Sequence, residues 1–407
     1  MRETPGERES RFINHLRRAA ERLRKHEPKS VEIWHHDDGD GLASGAICRA
    51  FFQQAGFDTR LICIEKIFPE VVSRSHSRAG RLIVYSDIGS PHARLISERD
   101  RGQNLVLFLD HHDAEPVESD DLIIGNPELF GLSGERDASA STVAYLFSKE
   151  FSPRGEGLAR LAVIGSAEIP GDLVSLNKIA LEDASRLREI SVRRSAKGED
   201  YVVSGLGRAV SYRTFSSKLT ILGSVGYYEN GPELAVEACL GGISAEIQSK
   251  IDQLEEKRKR ANKDLLSKIR ADGLSEMERV QWFHAGEIFK GMGTKTIGSF
   301  CSYLKYQGIL HPLKYLVGFM NVEPEVPNFG RLKGMYVKAS ARLPTALEEK
   351  VKAASAPPVS ALLSQAAKMV DGLGDGHTFA ASGVIPKGKE NEFLGTMDQL
   401  AKGASGL

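Results

Sequence analysis

The chain has 407 residues, 41% of them apolar and 27% charged, with 54 Lys+Arg against 54 Asp+Glu. That length allows two or three domains around sizeable cores, and no apolar run approaches the roughly 18–20 residues of a membrane span. The charged N-terminus does not read as a signal peptide. Four isolated cysteines (Cys48, Cys63, Cys239, Cys301) argue against a thiolate zinc centre and for a reducing, cytoplasmic setting.

Residues 1–30 carry nine basic and five acidic side chains. Within them, 11–25 place Phe12, Leu16, Ala20 and Leu23 near one face, which predicts an amphipathic helix with a solvated basic side. From 31 the pattern changes to short apolar runs: VEIW (31–34), RLICIE (60–65), RLIVYSD (81–87), NLVLFLD (104–110) and DLIIGN (121–126), with helix-like stretches at 42–54 and 90–101. Runs this apolar, alternating with helices, predict a parallel α/β sheet covered on both faces. Residues 31–130 hold seventeen acidic against nine basic side chains, a local net of −8 that suits a cation-binding region.

Helices are expected to dominate 139–193, whereas 195–243 is mixed, Gly-rich and carries no assignment. The charged pattern of 244–271, with Ile247, Ile251, Leu254, Leu265 and Ile269 as narrow apolar footholds, predicts a long helix joining two bodies. The expected division is therefore an N-terminal helix (1–30), an α/β domain (31–243), a bridging helix (244–273) and a smaller α+β domain (274–407). In the last, 279–285, 314–322 and 335–342 read as strands, 344–370 as helical, and the following Gly-rich run as a turn.

Acidic residues fall where these strands end. His35-His36-Asp37-Asp38-Gly39-Asp40-Gly41 follows the first, Asp87 the third, and Asp110-His111-His112 the fourth; a further acidic stretch, GSAEIPGD (165–172), follows an apolar run. Ligands of open α/β sheets bind beyond the carboxyl ends of the strands, so these residues should converge. Gathered carboxylates repel one another unless cations neutralise them. Oxygen and imidazole donors without cysteine suit a pair of divalent ions such as Mn2+ or Mg2+. Each piece also has a plainer reading. Asp38-x-Asp40-Gly41 alone is a turn or helix cap, and Asp87 alone an ordinary strand-end acid. Because adjacent side chains of an extended segment point oppositely, one of His111 and His112 should reach the metals while the other faces a substrate phosphate or a supporting group.

Together the motifs resemble the DHH phosphoesterase superfamily, in the branch that joins a DHH domain to a DHHA1 domain and contains RecJ-like single-strand exonucleases. The resemblance rests on His36-x-Asp38-x-Asp40-Gly41, Asp87, Asp110-His111-His112, an acid at 168–172 and the stretch 126–145. In the second half it rests on Ser340-Ala341-Arg342 and on Gly374-Asp375-Gly376-His377-Thr378-Phe379-Ala380-Ala381-Ser382-Gly383, which is similar to the DHHA1 signature GGGHxxAAG except for Asp375 at its middle glycine. The compact length is similar to the archaeal RecJ-like nucleases.

The resemblance implies a two-metal phosphodiesterase, with Mn2+ expected and Mg2+ the alternative. His36 and Asp38 would hold one ion, Asp40, His111 and Asp172 (alternatively Glu168) the other, with Asp87 bridging. Asp110 would orient the histidines and His112 position the scissile phosphate. Arg342, Gly374, Gly376 and His377 would bind the substrate, the glycines through an anion-binding nest of backbone N–H groups. The implied partner is single-stranded DNA or RNA, degraded to nucleoside monophosphates in replication or repair, with a replication or repair protein as a further partner and no membrane. The alternatives are a phosphodiesterase for short oligonucleotides or cyclic dinucleotides, and a non-catalytic replication scaffold.

Overall fold

Short apolar strands buried on both faces need a helical layer above and below, and the first half of the chain supplies both. The structure is a computed structural model describing residues 4–26, 30–196 and 198–403; the first residues of the N-terminal segment and the end of the Gly/Ser-containing tail lie outside the described residues. The chain divides into two units, Met1–Asp252 and Gln253–Leu407.

In the first unit, β1 (Val31–His35), β2 (Thr59–Cys63), β3 (Leu82–Ser86), β4 (Leu105–Leu109) and β5 (Leu122–Gly125) form an all-parallel sheet in the order β2-β1-β3-β4-β5. All but the edge strand β2 are buried throughout. The helices are α1 (Pro5–Lys25), α2 (Gly39–Gln54), α3 (Pro69–Ser75), α4 (Ala93–Asp100), α5 (Ala140–Phe151), α6 (Ala159–Gly165) and α7 (Ser175–Arg186). α2 packs with α5 and α6 and covers the face of β3 that carries Ser86, where the Cys48 thiol approaches the Ser86 hydroxyl. Tyr85 points the other way. Its hydroxyl is 2.8 Å from Nε2 of His76, at the end of α3, while Nδ1 of the same ring is 2.7 Å from Asp100 of α4. The buried His76 thus ties both helices to the opposite face. α1 buries Phe12, Leu16, Ala19, Ala20 and Leu23, as its periodicity predicts, and lies along α5 and β5.

After α7 the helices end earlier than expected, because β6 (Ile190–Ser195), β7 (Gly198–Val203) and β8 (Val210–Ser211) form a small antiparallel sheet. Then come α8 (Tyr212–Thr220), one π turn (Ile221–Val225), α9 (Gly231–Gly241) and the long α10 (Ala245–Asp272), inside which the division between units falls.

The second unit is α+β. β9 (Ser275–Glu276), β10 (Val280–His284), β11 (Tyr315–Asn321), β14 (Tyr336–Arg342), β15 (Leu373–His377) and β16 (Ala380–Pro386) form a mixed sheet in the order β15-β16-β14-β11-β10-β9, with β12 (Glu325–Val326) and β13 (Gly330–Arg331) as a separate hairpin. α11 (Lys295–Leu304) packs on β11 and β14; α12 (Thr345–Lys352), α13 (Val359–Met369) and α14 (Glu390–Gly403) complete the unit. Alternation along β14 sends Val337, Ala339 and Ala341 into the core shared with α13 and α14, leaving Lys338, Ser340 and Arg342 on the other face.

The connections of the first sheet place the site. The chain leaves β1 for β2 on one side and returns to β3 on the other, so the connections diverge between β1 and β3, where open α/β sheets form a crevice at their carboxyl ends. The register pairs His35 with Ser86 and Ser86 with Leu109. The next residues, His36, Asp87 and Asp110, therefore leave the sheet side by side.

Candidate metal centre

Asp38 is the N-cap of α2 and accepts from Gly41 N at 3.0 Å through Oδ1. The cap reading of this motif therefore holds, but it uses one oxygen only, and Oδ2 lies 2.9 Å from His36 Nδ1. The helix start folds back so tightly that a Cβ on Gly41 would sit 2.6 Å from His36. Asp40 turns instead to the N-terminus of α5, where its two oxygens accept from Ser141 N (2.8 Å) and Ala140 N (2.9 Å). A helix N-terminus is a favourable seat for a carboxylate, and these amides fix its direction.

Asp87 is wholly interior and adopts φ +61, a left-handed conformation that costs a non-glycine residue on the order of 1 kcal/mol. Its Oδ1 lies 3.4 Å from His111 Nε2 and has no well-formed hydrogen bond. Burial, then the charges of Asp38 and Asp40, push its carboxyl well above the usual range, with His111 opposing. His111 Nδ1 meets the carbonyls of Gly134 (2.7 Å) and Ala138 (3.2 Å), which leaves Nε2 facing Asp87 and, at 3.8 Å, Asp40. Burial works against a charge on this imidazole, yet the Asp87 contact and the Asp40, Asp87 and Asp110 carboxylates push it up to about 10.

Asp110 is filled by hydrogen bonds. Oδ2 takes Ser90 N and Oγ, and Oδ1 takes His111 N and His112 Nδ1. Burial would raise it, but the His112 charge and hydrogen bond, His111 and Ser90 hold it well below the usual carboxylate range. His111 and His112 do not point to opposite faces: β4 ends at Leu109, the chain bends, and the two rings meet edge to face at 4.7 Å.

Two groups of donors result. His36, Asp38 and Asp87 bring ligand atoms within 4.8 Å of one another, and so do Asp87, His111 and His112, with Asp87 common to both. These residues fit divalent cations on three observations. A buried carboxylate oxygen lacks a partner, the donors are all oxygen and imidazole nitrogen, and the 2.9 Å between His36 Nδ1 and Asp38 Oδ2 is the spacing of adjacent ligands on an octahedral ion with bonds of about 2.1 Å.

The remaining expected residues are not members of these two groups. Asp172 is exposed and accepts from Glu199 N on β7 at 2.9 Å. Glu168, also exposed, is 3.5 Å from the Thr220 hydroxyl, which accepts from Gly39 N, between Asp38 and Asp40. Gly374, Gly376 and His377 lie on β15, paired with β16, so the Gly-rich run forms a strand rather than a turn with a backbone nest. Gly376 is needed because a Cβ there would come 2.5 Å from Ala381 Cα. Arg342 sits against α11, its Nε donating to Ser302 Oγ (3.0 Å) and Nη1 to Ser340 Oγ (3.2 Å) and the Ala341 carbonyl (2.8 Å). Among the described residues no carboxylate pairs with it, and burial lowers its pKa.

Several supporting groups escaped the sequence reading: Asp37, Ser90, Asn126, and the backbone of 134–141. Asn126 follows β5 as Asp87 follows β3, and its amide donates to Ser90 Oγ and the His112 carbonyl, so the same strand-end signal marked it.

Residues 30–166 match the DHH family, N-terminal domain. An uncharacterized protein of Methanocaldococcus jannaschii is 27% identical over 195 residues, 45% of this chain and 43% of that protein, so the chain spans less than half of this relative's length. Among solved structures, RecJ from Thermus thermophilus in complex with Mn2+ superposes with a TM-score of 0.64 at 16% identity, over 95% of this chain and 55% of that one. An exonuclease RecJ bound to manganese gives 0.59 at 18% identity, over 95% and 94%. CDC45 from Entamoeba histolytica gives 0.54 at 11% identity, over 97% and 98%. Those identities speak to the fold, and the match over 30–166 speaks to the family of the part that carries the two donor groups. Residues 30–166 thus match the DHH family's N-terminal domain, and the chain shares the fold of the RecJ structures.

Proposed function

We propose that the protein is a metal-dependent phosphodiesterase acting as an exonuclease on single-stranded DNA or RNA. The observation that carries this reading is the pair of donor groups sharing the buried Asp87 at the divergence between β1 and β3. His36 and Asp38 would hold one cation and His111 the other, with Asp87 common to both and Asp40 facing His111. Bound Mn2+ or Mg2+ would supply charge stabilisation to the phosphate and activate the attacking water.

The chain's own residues do the rest. The Gly134 carbonyl keeps the His111 proton on Nδ1, so Nε2 offers its lone pair to the centre. Asp110 holds His112, whose partly exposed ring is available to a phosphate or leaving group. For the remaining acid we favour Glu168 over Asp172, because Asp172 is committed to the β7 amide while Glu168 reaches the Asp38–Asp40 loop through Thr220. In the second unit, the half-buried Arg342 guanidinium, without a carboxylate among the described residues, is suited to a substrate phosphate.

A non-catalytic scaffold built on the same fold is the second reading, and the donor groups that share Asp87 weigh against it. The deciding assay is digestion of 5′- and 3′-labelled DNA and RNA strands with Mn2+ and with Mg2+, using Asp87→Asn as control. Mononucleotide release that depends on metal and disappears in the variant is expected. Inertness toward all strands would favour the scaffold, and faster cleavage of dinucleotides than of 20-mers would move the substrate class to short oligonucleotides.

A further inference from the structure

Asp37, between His36 and Asp38, is 0% exposed, and neither of its carboxylate oxygens has a hydrogen bond. Its backbone carbonyl is clamped by the π turn: a Cβ on Gly223 would come 2.1 Å from it. π turns inside α-helical segments often mark functional positions, and this one holds the Asp37 segment in the interior. The neighbouring Cys63 thiol is pushed well up by its burial and then by the charges of Asp37, Glu233 and Glu65, so several carboxylates gather here. Among the described residues the single ion pair of Asp37 is with His36, Nε2 to Oδ1 at 3.3 Å. A buried charge without full compensation is strongly destabilising, which sets this carboxylate apart from an ordinary structural one.

The His36 ring has two edges. Nδ1 faces Asp38 Oδ2 at 2.9 Å and Asp87 Oδ2 at 4.0 Å, while Nε2 faces Asp37. An imidazole that binds a metal through one nitrogen commonly gives the proton on its other nitrogen to a carboxylate, which fixes the tautomer and the ring. We propose that Asp37 is the positioning residue for His36: its carboxylate takes the Nε2 proton in a hydrogen bond and so presents the Nδ1 lone pair to the cation held with Asp38 and Asp87. The inference rests on the metal-centre reading above. It assigns to this chain a carboxylate–imidazole–metal relay in which the carboxylate's cost to the metal-free protein is offset once the ion is bound.

The test is Mn2+ titration of the full-length protein by calorimetry and electron paramagnetic resonance, with melting of the metal-free form alongside. Asp37→Asn should weaken one of two Mn2+ sites about 10–100-fold, giving an uncoupled spectrum at Mn2+ concentrations where the parent gives a coupled pair. Its metal-free melting temperature should be no lower than the parent's. Asp37→Ala, which removes the acceptor altogether, should lose more affinity than Asn. Unchanged titrations, equal weakening of both sites with a lower metal-free melting temperature, or a smaller loss in Ala than in Asn would each overturn the assignment. If the parent protein itself binds no Mn2+, the metal-centre reading fails instead, and the two failures are told apart.

Discussion

The stretch after α6 offers two acids as a further ligand, Glu168 and, four residues on, Asp172. The two carboxylates have different employment. Asp172 answers a backbone amide beside the β6–β7 turn, an exposed contact worth no more than about 1 kcal/mol. Glu168 carries a longer side chain and sits one hydroxyl from Gly39. Glu168→Gln should therefore lower Mn2+ affinity about tenfold or more, about 1.4 kcal/mol, with little change in melting. Asp172→Asn should cost a little stability and leave the metal titration unchanged. Calorimetry on the two variants decides, and the reverse pattern would restore Asp172. At this scale the sequence was legible where a carboxylate or imidazole follows an apolar strand, as at Asp38, Asp87, Asp110 and His111. Asp37 was illegible because its burial depends on Gly223, which packs onto it from far along the chain. The Gly134 carbonyl that orients His111 was illegible for a simpler reason: a backbone acceptor has no signature in the residue type.

Elements were legible in proportion to how far hydrophobic pattern decides them. The five strands of the first sheet are short, mainly apolar runs and fall where expected. β6 is exposed over 191–194, where it carries Arg193 and Arg194, so its pairing with β7 is not announced by burial. β15 carries two glycines because α13 approaches closely at Gly374 and β16 at Gly376, and composition alone reads such a run as a turn. Close approach also governs the joint between α6 and α5. A Cβ on Gly165 would lie 2.1 Å from Ser141 Oγ and 2.6 Å from Asp40 Oδ1. Gly165→Ala must therefore move the start of α5 or Asp40 itself. We expect a loss of about 1–3 kcal/mol in urea denaturation, together with reduced Mn2+ affinity. Gly157→Ala, where nothing lies within 4 Å, should change stability by no more than about 0.5 kcal/mol. Equal stability of the two variants would mean that the contact at Gly165 relaxes without effect.

For the whole molecule, a formal charge of zero conceals an acidic first sheet region and basic residues elsewhere. Two divalent cations would bring the total to about +4 by their own charge, so a neutral sequence is compatible with a polyanionic substrate. Charge also separates the two units. The carboxylates and histidines of the donor groups all belong to the first unit, and Arg342 belongs to the second. If Arg342 binds a backbone phosphate, Arg342→Gln should raise KM with kcat little changed, and should reduce the magnitude of the slope of log K against log salt by about 0.7, the contribution of one phosphate contact on a single strand. Mn2+ titration should be unaffected, because no donor has been touched. Arg342→Lys should recover the slope but not the full affinity, since an ammonium keeps the charge and loses the planar fork. Fluorescence anisotropy of a labelled strand at several salt concentrations reads both quantities. A structural Arg342, holding Ser302 and Ser340 in place, would instead lower the melting temperature in both variants and leave the slope where it was.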